Sequence, residues 1–255
     1  MASTGDIALG DCLDKAARAI LPPSKIFAPY GRALEKYAFP AGAASYDYKI
    51  ARTRELELER RKTKWGWSFG PPMAESKGGR SSKRMAYSFS GLLTAVERFL
   101  KFELDSVSGS PTQRLRDASA ITEEERAGMA REVQRVAFEH LASRVLLYLT
   151  SLPREDSNQV KAVVVSGGVA ANGFLRHVFR AMLDARGFVD IELCFPPIEL
   201  CTDNAAMIAW AGCEMWEAGY RSDLSIRPIR KWSLDPNAED GGILGVDGWL
   251  KQRET

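Results

Sequence analysis

Two strand–loop–helix units follow one another between Val163 and Gly212, and they constrain the fold more than any other stretch of the chain. The β-branched run Val163-Val164-Val165 meets Ser166-Gly167-Gly168, and a helical pattern begins near Ala171. A second apolar run, Ile191 to Phe195, ends at Pro196-Pro197; Cys201-Thr202-Asp203-Asn204 then opens a helix that extends to about Gly219. Strand and helix patterns that alternate in this way define an α/β protein. The small or acidic residues at each joint have the character of a nucleotide and metal site.

The rest of the chain sets broad bounds. Its 255 residues suffice for one large domain or two small ones. The formal charge of +2 gives no global attraction to nucleic acid, so any RNA contact must come from a local patch. Cys12, Cys194, Cys201 and Cys213 show no CxxC spacing and read as free thiols. No apolar run reaches the length of a membrane span, and no basic, apolar presequence opens the chain. Motif-like sequence starts within a few residues of Met1, as expected if the beginning of a longer protein were missing.

Apolar positions at Ile7, Leu9, Leu13, Ala17 and Ile20 predict an amphipathic helix over 6–21, ended by Pro22-Pro23. A short helix is expected over 31–37. Residues 52–84 hold ten Lys/Arg against four Asp/Glu, with Trp65, Trp67 and Phe69 inserted and a Gly/Ser-rich end. This stretch reads as a mobile basic insertion with one strand at its aromatic segment: a solvated loop, or a patch that contacts RNA. Leu92, Leu93, Val96, Phe99 and Leu100 predict another helix, and 106–112 a Ser/Gly/Pro linker. Thr122-Glu123-Glu124-Glu125 fits a capping box opening a helix to about Leu152, with an apolar face of Val133, Ala137, Leu141, Val145 and Leu149.

Several residues could carry chemistry. Gly167 and Gly168 remove side chains where backbone must approach a ligand, and N–H groups there and at the following helix start favour an anion. A tight strand–helix turn explains the same glycines without a ligand. Asn172 offers both a donor and an acceptor. Asp203 suits a helix N-cap, the commoner role for Asp in that setting, or a hard oxygen ligand to a divalent metal. Asp11 and Asp14 form a solvated acidic face with Lys15, or an acceptor for a substrate hydroxyl. His140 and His177 lie within predicted helices at no metal-ligand spacing and read as structural or exposed. The chain's own histidines and cysteines make no conventional zinc site, and no G-x-S-x-G elbow is present.

Taken in order, Gly10-Asp11-Cys12-Leu13-Asp14-Lys15-Ala16-Ala17-Arg18, Tyr87-Ser88-Phe89-Ser90-Gly91-Leu92, Gly167-Gly168-Val169-Ala170-Ala171-Asn172 with Leu175-Arg176, and Cys201-Thr202-Asp203-Asn204-Ala205-Ala206-Met207-Ile208-Ala209-Trp210 resemble the TsaD/Gcp family of tRNA threonylcarbamoyladenosine synthases. The closing Lys231-Trp232-Ser233-Leu234-Asp235 resembles that family's C-terminal signature, most like its eukaryotic mitochondrial branch. The resemblance implies an actin-like, Hsp70-like ATPase (ASKHA) fold, here mainly its C-terminal lobe. Residues 1–46 would end the first lobe and carry a substrate-binding helix, 47–85 would be a basic flexible insertion, and 86–255 would be the C-terminal lobe with nucleotide and metal motifs.

It also implies transfer of a threonylcarbamoyl group from threonylcarbamoyl-adenylate to N6 of adenosine 37 in tRNAs reading codons that begin with A. By position, Asp14, Gly31, Gly167, Gly168 and Asn172 would bind substrate or nucleotide. Asp203 would ligate one divalent metal ion per subunit, of the zinc or iron type. Partners implied are tRNA, the adenylate and a second copy in a homodimer, without a membrane. The implied compartment is the mitochondrion, with the cytoplasm as second choice.

The family's His-x-x-x-His helix and its Ser-Gly-Gly-His-Thr-like loop are not in this sequence, and its Tyr-Pro-Gly-Gly-Pro turn is altered to Ala28-Pro29-Tyr30-Gly31-Arg32. Asp203 alone of the metal ligands remains, so the expected chain is an N-terminally truncated enzyme of weak or no activity. The alternative is a non-catalytic nucleotide-binding or dimerisation module of the same fold. A metallopeptidase lacks its His-Glu-x-x-His helix, and the Cys-Thr-Asp-Asn segment argues against a sugar kinase.

Overall fold

The structure, a computed structural model, describes residues 3–74, 81–153, 155, 159–201, 205–222, 224, 225, 227 and 249–251. The chain divides into two compact units, Met1–Cys201 and Thr202–Thr255.

In the first unit the elements run β1 (Ser3–Thr4), α1 (Leu9–Ile20), α2 (Tyr30–Ala38), α3 (Arg54–Leu58), β2 (Ala86–Tyr87), α4 (Ser90–Lys101), β3 (Phe102–Leu104), β4 (Pro111–Leu115), α5 (Glu123–Ser151), β5 (Ala162–Val164), α6 (Gly173–Ala185) and β6 (Glu192–Cys194). The second unit holds α7 (Ala205–Glu217) and the antiparallel pair β7 (Tyr220–Ser222) and β8 (Trp249–Lys251). The predicted strand–helix alternation is present: β5 and β6 pair in parallel, Val163 opposite Leu193, with α6 between them in sequence. The architecture is α/β, with helices and small two-stranded sheets.

Helix α5 is the axis of the first unit. The sequence predicted one apolar face, but Val133 through His140 are all buried, because α1, α2, α4 and α6 pack around it. A helix enclosed on every side must bury its polar positions too, and here they are paired. Arg135 bridges Glu132 and Glu139, and Glu139 also accepts from Tyr48 Oη (3.0 Å) and Arg61 (3.2 Å). At its start, Thr122 Oγ1 accepts from Glu125 N (3.1 Å), as the capping box requires. The Glu125 carboxylate does not complete the box; it turns inward to Trp67 Nε1 (3.0 Å) and to both terminal nitrogens of Arg116.

That contact changes the reading of 52–84. Trp67 (0% exposed) and Phe69 (1%) belong to the main core, and Trp67 stacks on Trp65 and Phe99. No strand forms at the aromatic segment among the described residues; the backbone bends there so that both rings enter the core. The preceding helix α3 is tied down by charge: Glu57, 5% exposed, pairs with Arg54 and with Arg186 just past the end of α6 (2.7 Å). Of the expected linker 106–112, residues 106–110 lie in the tip of the hairpin β3–β4 and 111–112 begin β4. Asp105 Oδ1 closes it by accepting from Val107 N (3.2 Å) and Ser108 N (2.7 Å), an Asx-type turn.

The predicted first helix starts three residues late, at Leu9, because Asp6 is used elsewhere. Its carboxylate accepts from the Ser88 and Ser90 hydroxyls (2.7 and 2.5 Å) and from Phe89 N (2.9 Å), joining the chain start to the Tyr87–Gly91 motif. Burial alone would raise its pKa, but the hydrogen bonds from Ser90, Phe89, Ser88 and Ile7 prevail and hold it well below the usual carboxylate range.

Candidate functional site

Helix α1 presents Cys12, Leu13, Ala16, Ala17 and Ile20 to the core, which leaves its acidic residues at the margin. Asp11 pairs with Lys15 (2.7 Å) on the solvated side. Asp14 is half-buried and turns the other way, where its Oδ1 accepts from Gly31 N at 3.0 Å. Asp14 and Gly31, separately singled out in the sequence, are thus direct partners. Gly31 lies in the first turn of α2 rather than in a glycine-rich loop, so the aspartate satisfies a helix-start N–H. The second oxygen, Oδ2, has no partner among the described residues.

The Gly167-Gly168 turn borders this pair through α1: a Cβ built on Gly10 would stand 3.5 Å from Val169 Cγ2. Gly167 has φ +91°, a conformation side chains rarely adopt, and within the first unit nothing stands within 4 Å of a Cβ on Gly167 or Gly168. The short 3-10 segment Gly168–Ala171 follows, with Ala170 N bonded to Gly167 O (2.9 Å). The N–H groups of Gly167 and Gly168 find no acceptor among the described residues. Two unbonded backbone donors at a turn without side chains suit a phosphate or carbonyl oxygen.

The α6 N-terminus, expected to add to that anion site, is already filled. Asn172 Oδ1 caps it by accepting from Leu175 N (2.9 Å), and its Nδ2 donates to Gln134 Oε1 (3.0 Å). Both polar atoms of this buried side chain are engaged inside the protein. Glu35 Oε1 accepts from Gly173 N (2.7 Å), Phe174 N (3.1 Å) and Tyr46 Oη (3.0 Å), placing the protein's own carboxylate at the helix dipole. A side chain at Gly173 would meet Tyr46 Oη at 2.7 Å, so this approach needs glycine. Burial, reinforced by Glu35, raises the Tyr46 hydroxyl's pKa and keeps it a donor. Glu35 escaped the sequence reading. One signal pointed to it: it lies one turn beyond Gly31 on α2.

The two histidines are apart and occupied differently. His140 is buried in α5, edge-on to Tyr87 and Phe89, and its Nε2 accepts from Ser88 N (3.3 Å). Burial first, then the nearby Arg144 and Arg54 cations, push its pKa down to about 3. His177 is exposed on α6 and stacks on Phe174. Cys12 is an unreactive thiol, pushed up to about 12 by burial and by the Asp11 and Asp6 charges. Among the described residues no three His, Cys, Asp or Glu side chains converge as metal ligands. Asp203, with Thr202 and Asn204, lies outside the described residues, as does the 231–235 signature.

The fold is α/β, and the candidate site consists of an aspartate–glycine pair and a glycine turn whose N–H groups have no acceptor among the described residues. Over residues 1–210 the chain matches the model of the TsaD family, tRNA N6-adenosine threonylcarbamoyltransferase. It is 31% identical over 256 residues to the mitochondrial tRNA N6-adenosine threonylcarbamoyltransferase of Schizosaccharomyces pombe, covering 98% of this chain and 50% of that protein. It is 32% identical to the tRNA N6-adenosine threonylcarbamoyltransferase of Rhizobium etli (93% of this chain, 52% of that one) and 33% identical to that of Rhizobium meliloti (93% and 53%). The chain belongs to the TsaD family, and spans about half the length of the curated relatives it matches.

Proposed function

We propose that this chain carries the adenylate-binding side of a tRNA N6-adenosine threonylcarbamoyltransferase. The observation that supports it most is the Asp14–Gly31 hydrogen bond, together with the open Gly167-Gly168 turn. In this reading Asp14 Oδ2 accepts from a ligand hydroxyl while Gly167 and Gly168 N–H groups donate to a phosphate or carbonyl oxygen of threonylcarbamoyl-adenylate. Asn172 contributes by capping α6 and bonding to Gln134 of α5, which fixes the turn between β5 and α6. In the reaction the adenosine N6 amine attacks the carbamoyl carbon, the bond to the phosphate oxygen breaks, AMP leaves, and the amine proton is lost. Holding the mixed anhydride in one orientation is the service this half of the site supplies.

Residues 1–46 are read as the end of a first ASKHA lobe, 47–85 as a basic insertion and 86–255 as the C-terminal lobe. Family membership implies a divalent metal, zinc or iron in type, for which Asp203 is the proposed ligand. The described side chains make no set that fits such an ion. The partners proposed are tRNA and a second copy of the chain. No described helix is long and apolar enough to cross a membrane. The S. pombe relative's name favours a mitochondrial location.

Calorimetry with a non-hydrolysable threonylcarbamoyl-adenylate analogue tests the site. Wild type should bind one equivalent, and Gly168→Val should lose at least tenfold in affinity with an unchanged melting temperature, because its side chain enters open space. Equal affinity in the two proteins refutes the assignment.

A further inference from the structure

A second concavity lies between α2 and the start of α5, lined by residues other than Asp14 and Gly31. It encloses about 450 Å³ between α2, the Pro23–Lys25 turn and the start of α5. Ala33, Lys36, Tyr37 and Pro40 line it at helical spacing, and Phe27, 45% exposed, forms one wall. Lys25, Lys36 and Arg131 stand around it, all three exposed, and the first two make no ion pair among the described residues. Arg131 spends one nitrogen on Ala38 O (2.7 Å), which holds its guanidinium at the rim. Two carboxylates also line the cavity, Glu123 and Glu124, and Glu124 is neutralised by Lys64. Cations therefore prevail. The basic character continues along α2 to the candidate site: Arg32 is exposed beside Gly31, and Arg18 lies over the Tyr30 ring at 4.7 Å.

We infer that this cavity docks a single-stranded segment of the tRNA substrate, one base entering against Phe27 and Tyr37 with its flanking phosphates on Lys25, Lys36 and Arg131. Aromatic walls with cations at the rim are what a splayed-out nucleotide requires: any base offers a face to stack, and the phosphates on either side supply the charge. A protein partner would gain little from exposed lysines, which are depleted in the cores of protein interfaces. The inference rests on the transferase reading, and adds to it where the RNA strand runs.

The test is titration of a fluorescent, unmodified tRNA transcript with the full chain at several salt concentrations. Each lost phosphate contact lowers the log–log salt slope by about 0.7 for a single strand, which is roughly fivefold in affinity at 0.1 M salt. Lys25→Gln/Lys36→Gln should therefore weaken binding roughly 25-fold and flatten the slope by about 1.4. Phe27→Ala should weaken it with the slope unchanged, and Glu123→Gln should tighten it. The Glu123→Gln gain cannot arise from misfolding. Wild-type affinity in both loss variants overturns the proposal, as does a change in oligomeric state with RNA affinity unchanged, which would give the cavity to a protein partner. Absence of tRNA binding by wild type also overturns it. The adenylate-analogue titration, run in parallel, shows whether the transferase reading fails with it or stands alone.

Discussion

Acidification should weaken the first unit through one residue, His140. An unfolded histidine takes a proton near its ordinary 6.5, whereas in the fold His140 stays neutral down to about 3. Across that window the unfolded state binds the extra proton, so stability is complete above about pH 7 and is lost as pH falls. At pH 5 the loss covers about 1.5 pH units at ~1.4 kcal/mol each, about 2 kcal/mol in all. Burial of the ring is the main reason the native state refuses the proton, and the charges of Arg144 and Arg54 add to it while Asp6 acts the other way. Nε2 also accepts from Ser88 N, so a proton there would set donor against donor. Urea titrations at pH 7.5 and 5.0, followed by tryptophan fluorescence, measure the loss. His140→Gln keeps an acceptor for Ser88 N–H and cannot titrate, so it should start less stable yet lose about 2 kcal/mol less between the two pH values. Asp6 does not confuse the comparison, because its contribution, present above the ordinary carboxylate pKa, is lost only at lower pH. Parallel losses in wild type and variant would refute the account of His140.

Other outcomes follow from the packing and the donor set. Trp67→Ala should cost about 3–5 kcal/mol, since it removes a fully buried ring and leaves Glu125 without one of its donors; a cost below about 1 kcal/mol in chemical denaturation would return the segment to a solvated loop. Zinc or iron(II) titrated calorimetrically into this chain should give no tight one-to-one isotherm, because its two histidines sit on different helices in unrelated surroundings and one carboxylate holds such an ion poorly. Tight stoichiometric binding would sink that expectation.

Periodicity and local chemistry settled much of this protein before any coordinates. The strand–helix alternation around Val163 and Ile191, the helix stop at Pro22 and the Thr122 cap all depend on neighbours within one or two turns, and all are present in the fold. The ordered motifs identified the family for the same reason: they are contiguous. What the sequence alone left open are contacts across long chain separations. Trp67 looked like a loop aromatic because nothing within several residues shows that Glu125 and Phe99 will close over it. Asp14 looked like part of a solvated face because Gly31, 17 residues on, had to fold back before it had a partner. Glu35 was invisible as a cap for α6, whose first N–H groups lie 138 residues away in sequence. Hydrophobic pattern fixes which elements form, because backbone hydrogen bonds and apolar burial act locally and periodically. Only the tertiary structure decides which charges and rings meet, because burial forces each polar group to find a partner wherever the packed chain provides one.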